Sequence, residues 1–261
     1  MSIVGEVESL WRYPVKSMRG EELAEAFVGF AGIYGDRLFA FRSSARPPSF
    51  PYLTGRERED MLLYRPRFRH PDKAARPPNL AAAEAAGLSP LSAAPAELAV
   101  EVEMPTGEVL DVDDPALLRK LGEGLHDGHV LTLLRSERAM TDCRPVSLFS
   151  LQTARQLGEE TGMTLDKRRF RANVYMDLGS AAGFAEDRFV DHSLRLGAKA
   201  VVAVLERDQR CKMITLDPET AKPGPDLLRR VTRDHDGMAG IYGAVLVEGT
   251  VRRGDIIELL S

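Results

Sequence analysis

The chain has 261 residues, 44% of them hydrophobic and 28% charged, enough to bury a core as one large domain or two ordinary ones. A net charge of -4 gives no whole-molecule argument for nucleic-acid binding, so any anion site must be local. Two cysteines exclude a disulfide framework, a four-thiolate zinc site and an iron-sulfur cluster.

The opening "MSIVGEVESLWRYP" alternates and is charged, unlike a signal peptide, and the longest apolar run, "AKAVVAVL" at 198–205, is too short for a membrane span. A cytoplasmic protein with reduced thiols is expected. "IVGEVESLW", "EAFVGFAGI" and "RLFAFRS" place apolar residues at period two and predict strands. Residues 73–95, rich in Ala and Pro, predict a surface loop with one helical turn in "NLAAAEAAG". "LAVEVEMPTGEVLDVD" at 98–113 predicts a hairpin turning at Pro105, Thr106 and Gly107. A short helix follows, with Asp114 as N-cap, Pro115 at its first position, and Leu117, Leu118 and Leu121 on one face.

"HVLTLLRS" predicts a strand, and "VSLFSLQTARQLGEETG" a helix over 151–161 closed by Gly162. "RRFRANVYMDL" and "SLRLGAKAVVAVLERD" predict strands, "PDLLRRVTRDH" a helix after Pro225, and "IYGAVLVEGTVRRGDIIELL" two terminal strands. Many short strands with few short helices indicate a β-rich α+β, barrel-containing architecture rather than a doubly wound sheet.

Three stretches carry candidate chemistry. In "RDQRCKMITLDPET", Cys211 stands at the polar end of an apolar strand, where Arg207, Arg210 and Lys212 favour the thiolate that attacks or ligates soft metals. An inert buried thiol is the plain alternative. The histidines, at 70, 126, 129, 192 and 235, form no recognisable cysteine-hydrolase setting or metal motif, and Cys143 reads as incidental. In "RYPVKSMRG", Lys16, Ser17 and Arg19 offer a phosphate grip, equally readable as a basic turn. In "DKRRFRANVYMDL", Lys167, Arg168, Arg169 and Arg171 enter a strand with Asn173 on the face of Arg171, suited to phosphate or to solvent. Asp36 and Arg37 read as a capping ion pair, and Asp217 as a turn former.

Taken in order, "LWRYPVKSMRGEEL", "GDRLFAF", "RFRANVYMD", "AEDRF", "RCKMITLDPET" and "GAVLVEGTVRRGDIIEL" resemble the motifs of MOSC proteins, named for the C-terminal domain of molybdenum cofactor sulfurase. The resemblance implies an N-terminal β-barrel module over 1–115 packed on a MOSC β-barrel domain over 116–261. Within the family the chain is most similar to the mitochondrial amidoxime-reducing component and its bacterial relatives. That implies a molybdenum-molybdopterin cofactor held between the modules, with Cys211 ligating molybdenum. Lys16, Ser17, Arg37, Arg171, Asn173 and Arg210 are the implied cofactor-binding residues. The implied activity is reduction of N-hydroxylated or related N-oxygenated small molecules with electrons from a separate redox protein. A sulfur or cofactor carrier using Cys211 and a cofactor-free anion-binding protein are the alternatives. Met18, Ala172, Asp208 and Phe189 depart from the family pattern, Asp208 standing where many members have a cysteine.

Overall fold

A computed structural model describes residues 1–125 and 130–260. The first half runs β1 (Ser2–Arg12), β2 (Glu21–Leu23), β3 (Glu25–Gly29), β4 (Gly32–Ile33), β5 (Phe39–Ser43) and β6 (Arg65–Phe68). It continues through α1 (Pro71–Ala75), α2 (Leu80–Ala86), β7 (Val100–Glu103), β8 (Val109–Asp111), α3 (Pro115–Gly122) and β9 (Leu131–Arg135). The second half comprises β10 (Val146–Ser150), α4 (Leu151–Thr161), β11 (Val174–Asp177), β12 (Ser193–Leu196) and β13 (Ala200–Gln209). After α5 (Asp226–Asp234), the chain closes with β14 (Met238–Val247), β15 (Gly249–Arg252) and β16 (Ile256–Leu260).

Seven strands close into a barrel in the order β11-β10-β14-β13-β12-β16-β1, the ring being completed where β1 pairs antiparallel with β11. Closure removes the sheet edges that an open β-sheet would leave unpaired. The first strand of the chain is therefore a stave of a barrel built otherwise from residues 146–260. Its interior is apolar: Val7, Leu10, Leu148, Val174, Met176, Val202 and Ile241 are fully buried there.

The chain between β1 and β10 builds smaller sheets around a second core that includes Val15, Met18, Phe41, Met61, Leu98 and Leu117. β5 pairs with β9, and β6, β7 and β8 form a meander. The two halves exchange strands. β15 leaves the barrel to pair with β3, and β16 returns to lie between β1 and β12.

Local signals explain much of this. The side chain of Asp114 accepts from the backbone N–H of Ala116 at 2.7 Å, capping α3, and Leu117 and Leu121 are buried on its inner face. Gly162 ends α4 at φ 66°, where a side chain would be strained. The 98–113 hairpin forms with Glu103 opposite Val109.

Three expectations need correction. Residues 73–95 are not one surface loop: α2 and the end of α1 lie there, and Ala74, Ala83 and Ala93 are buried. Small side chains are what let this segment pack closely. "RRFRAN" is not a strand, because the Asp166 carboxylate caps a 3-10 turn over Lys167–Phe170 that Arg171 ends in the left-handed region. The C-terminal "two strands" are three, since the chain switches sheets between β14 and β16. His126 and His129, with the start of the expected "HVLTLLRS" strand, lie outside the described residues.

Candidate functional site

Where the second core meets the barrel, a cleft of about 660 Å³, mouth included, is lined by Lys16, Ser17, Arg37, Arg171, Arg210 and Cys211. Six of the seven residues expected at a site thus converge, from segments up to about two hundred positions apart. Asn173 does not reach the cleft. It is fully buried, its Oδ1 accepts from the N–H and hydroxyl of Ser147 at 3.2 Å each, and its Nδ2 donates to the carbonyl of Trp11 at 3.3 Å. Those bonds tie β1 to β10 and leave no free edge for a ligand. The strand geometry that placed Asn173 beside Arg171 is absent because Arg171 sits in the left-handed turn.

Strained backbone marks the cleft. Ser17 (φ 67°), Arg37 (φ 45°) and Arg171 (φ 53°) are three of the seven non-glycine residues with positive φ among those described. Each such residue costs on the order of 1–3 kcal/mol unless its surroundings fix it. Here the surroundings do so: the N–H of Arg37 donates to the carbonyl of Tyr13 at 2.6 Å, and its Nη2 to the carbonyl of Arg171 at 2.9 Å. The Tyr13 ring lies between two guanidinium groups, 4.6 Å from Arg37 and 4.3 Å from Arg171.

Charge in the cleft is unbalanced. Lys16, Arg37, Arg56, Arg169, Arg171 and Arg210 line it against two carboxylates, Asp142 and Asp208. Behind the wall, Asp36 pairs with Arg37 and Asp217 with Arg169, leaving two positive charges in excess. Lys16 donates to the carbonyl of Met140 at 2.8 Å and pairs with Asp142. Burial pulls Lys16 below the ordinary lysine value, against the opposing pull of Asp142. Burial also brings Arg171 down to about 10, with Arg37 adding to the effect, and its Nη2 is buried without a hydrogen-bond partner.

Cys211 is partly exposed at the start of the 3-10 turn Lys212–Thr215. The basic neighbours expected to surround it point elsewhere. Arg207 pairs with Asp187 and Asp236, Lys212 with Glu59, and Arg210 turns inward to the carbonyls of Ala239 (2.6 Å) and Phe170 (2.9 Å). The cation that faces the thiol is Arg56. Burial opposes its charge, but the Cys211 sulfur and the Asp142 carboxylate hold its guanidinium above the usual range. Nothing in the sequence near Cys211 points to Arg56 or Asp142, which approach through loops.

The rest of the basic run is structural. Lys167 pairs with Glu8, Arg168 with Asp166 and Glu219, and Arg19 also with Glu219. The Oδ1 of Asp217 accepts from the N–H groups of Glu219 and Thr220, the turn expected of it. Cys143 is exposed and bonded to Glu206.

Asp208 was not expected as a site residue. Two residues of β14, Ala239 and Gly240, stand opposite it in a β-bulge, and it is 2% exposed with its carboxylate 2.8 Å from Arg210 Nη2. Gly240, at φ 82°, leaves the room that Arg210 fills: a Cβ there would lie 3.0 Å from Arg210 Nη2. Burial pushes the Asp208 carboxyl up to about 7, despite Arg210.

A thiol facing an arginine, beside an excess of positive charge, can hold a soft metal bearing an anionic ligand. Among the described residues no three His, Cys, Asp or Glu side chains are grouped to hold a metal, and no helix is long and apolar enough to cross a membrane.

No curated protein matches the sequence significantly. Among solved structures, the YuaD protein from Bacillus subtilis is similar at TM-score 0.48 and 14% identity, covering 98% of this chain and 94% of that one. YiiM from Geobacillus stearothermophilus gives TM-score 0.36 at 19% identity, covering 45% of this chain and 55% of that one. YiiM from Escherichia coli gives 0.32 at 18%, with coverage of 45% and 55%. The MOSC N-terminal beta barrel domain matches residues 4–88 and the MOSC domain residues 135–258. The chain belongs to the MOSC family, carrying a MOSC domain preceded by a MOSC N-terminal β-barrel domain.

Proposed function

We propose that the cleft binds the molybdenum cofactor and that the protein reduces small N-hydroxylated compounds with electrons from a separate redox protein. The observation that carries this reading is one partly exposed thiol, Cys211, opening on a cleft with two uncompensated positive charges and an unpartnered Arg171 Nη2. These residues fit the group. Cys211 offers the soft thiolate, and Arg37, Arg171, Arg210, Lys16 and Ser17 offer donors for a phosphate-bearing end. The cofactor, when bound, supplies two-electron redox chemistry that side chains lack.

The chain's own part is to bind, orient and neutralise. Arg171 and Arg37, braced on Tyr13, present guanidinium edges that need no rearrangement when an anion arrives. Arg56 and Asp142 stand beside Cys211 at the mouth, where a substrate enters. Reduction of an N-hydroxy group consumes two electrons and two protons, breaks the N–O bond and releases water. Protons reach the cleft from solvent through its open mouth.

The test is expression in a host that makes the cofactor, followed by measurement of molybdenum and pterin in wild type and Cys211→Ser. Stoichiometric molybdenum in wild type that Cys211→Ser retains only weakly through purification supports the reading, and pterin absent from both overturns it. With molybdenum bound, reduction of a simple amidoxime by an artificial donor separates an enzyme from a sulfur or cofactor carrier, which would show no turnover.

A further inference from the structure

The carboxyl group that the proposed function leaves without a task is Asp208. It lies in the wall of a cleft otherwise suited to anions, 2% exposed, and its Oδ2 has the Arg210 guanidinium 2.8 Å away but no aligned hydrogen bond. The groups that face it are Arg210 beyond the end of β13, Tyr242 on β14, Asp142 and Cys143 on the loop before β10, and Arg37 before β5. An ionised Asp208 is one of the carboxylates that hold the excess at two, and it engages Arg210, a neighbour that an incoming anion also needs. A neutral Asp208 instead leaves Arg210 free and adds an O–H donor.

We infer that Asp208 sets the anion selectivity of the cleft by admitting a tetrahedral dianion, of the kind presented by a phosphate group, only together with one proton. The step is a plain protonation: the dianion enters, Asp208 takes up a proton from the buffered solvent, the Arg210 Nη2 edge passes from carboxylate to ligand while its Nε and Nη1 stay on the Ala239 and Phe170 carbonyls, and no redox change occurs. The inference rests on the anion-binding part of the proposed function but not on molybdenum.

Direction follows from linkage. The empty cleft holds Asp208 at about 7, because burial disfavours its ionised form. A bound dianion raises that value further, so proton uptake accompanies binding wherever the empty site is ionised. Affinity is then level below about pH 6 and weakens toward about tenfold per pH unit above pH 7.

Sulfate is the probe, because it stays a dianion throughout this range. Binding to the full-length, cofactor-free chain is measured by calorimetry from pH 5.5 to 8.5 at constant ionic strength, in buffers of different ionisation enthalpy. All proteins carry Cys211→Ser, so that the thiol cannot contribute a proton. The expected result is uptake approaching one proton per sulfate at pH 8, abolished in Asp208→Asn, which binds at pH 8 about as tightly as the parent does at pH 6. Asp208→Glu should keep the uptake, and Arg171→Ala should lose sulfate altogether. Binding without proton uptake in the parent, uptake retained in Asp208→Asn, binding indifferent to Arg171, or no sulfate binding at all each overturns the inference. Molybdenum bound alongside a flat sulfate profile defeats this inference alone. Proton-linked sulfate binding in a chain that never acquires molybdenum defeats the cofactor reading and leaves Asp208 its role.

Discussion

Arg37 donates from Nη2 to the backbone carbonyl of Arg171 at 2.9 Å, joining two cleft residues 134 positions apart. Both have left-handed backbones, and both guanidinium groups face the ring of Tyr13. The bond makes the position of one arginine depend on the other, so that the anion-binding wall behaves as a unit.

Tyr13 is the spacer of that unit. Tyr13→Phe keeps the ring and loses the hydroxyl's hydrogen bonds, at 3.3 Å to the carbonyl of Ala172 and to the hydroxyl of Tyr175, so stability should change by about 1–2 kcal/mol and sulfate binding little. Tyr13→Ala should cost about 3–5 kcal/mol in denaturant unfolding and abolish sulfate binding, since the two guanidinium groups would face each other across a void. Equal anion binding by both variants would show that the stack positions nothing.

Asn173 should behave as a strand tie. Asn173→Ala leaves the Ser147 and Trp11 groups unpaired and should cost about 1–3 kcal/mol in unfolding experiments, with sulfate affinity within a few-fold of wild type. A selective loss of affinity at unchanged stability would restore it to the site.

Asp36 carries a heavier structural duty. Its buried carboxylate accepts from the N–H of Tyr13 at 2.8 Å and pairs with Arg37. Asp36→Ala should destabilise by about 3–5 kcal/mol, because the charge of Arg37 stays buried without compensation. Asp36→Asn, which keeps the acceptor oxygen, should recover part of that loss.

Asp208 gives the fold a definite pH dependence. Its native value of about 7 lies above the ordinary carboxylate range, so the native state holds a proton that the unfolded chain has released between about pH 4 and 7. The stability of wild type therefore falls with rising pH across this window. Relative to it, Asp208→Asn should gain on the order of 2–3 kcal/mol between pH 5 and pH 8. An unchanged difference between the two proteins at those pH values would mean that the carboxyl is not buried as described.

The fold was readable in sequence wherever the signal is local. Helix α4 announces its end in Gly162, α3 its start in Asp114 and Pro115, and the barrel staves their period-two alternation. The path of the chain between sheets was not readable, because β14, β15 and β16 have the same alternation and only tertiary pairing sends β15 to β3. The site divides in the same way. Lys16, Ser17, Arg171 and Cys211 stand out by local chemistry, motif resemblance adds Arg37 and Arg210, and the cleft gathers all six. Arg56, Asp142 and Asp208 carry no motif. Arg56 and Asp142 meet across 86 positions, which no spacing rule connects, and Asp208 looked like one more charge at a polar strand end. Asn173 was misplaced because strand parity was applied to a turn.

X-ray absorption at the molybdenum edge of the loaded protein tests the central claim most directly, comparing wild type with Cys211→Ser reconstituted to the same metal content. The account predicts a protein-derived sulfur neighbour of molybdenum in wild type that is missing from the variant. Identical sulfur coordination in both would contradict it.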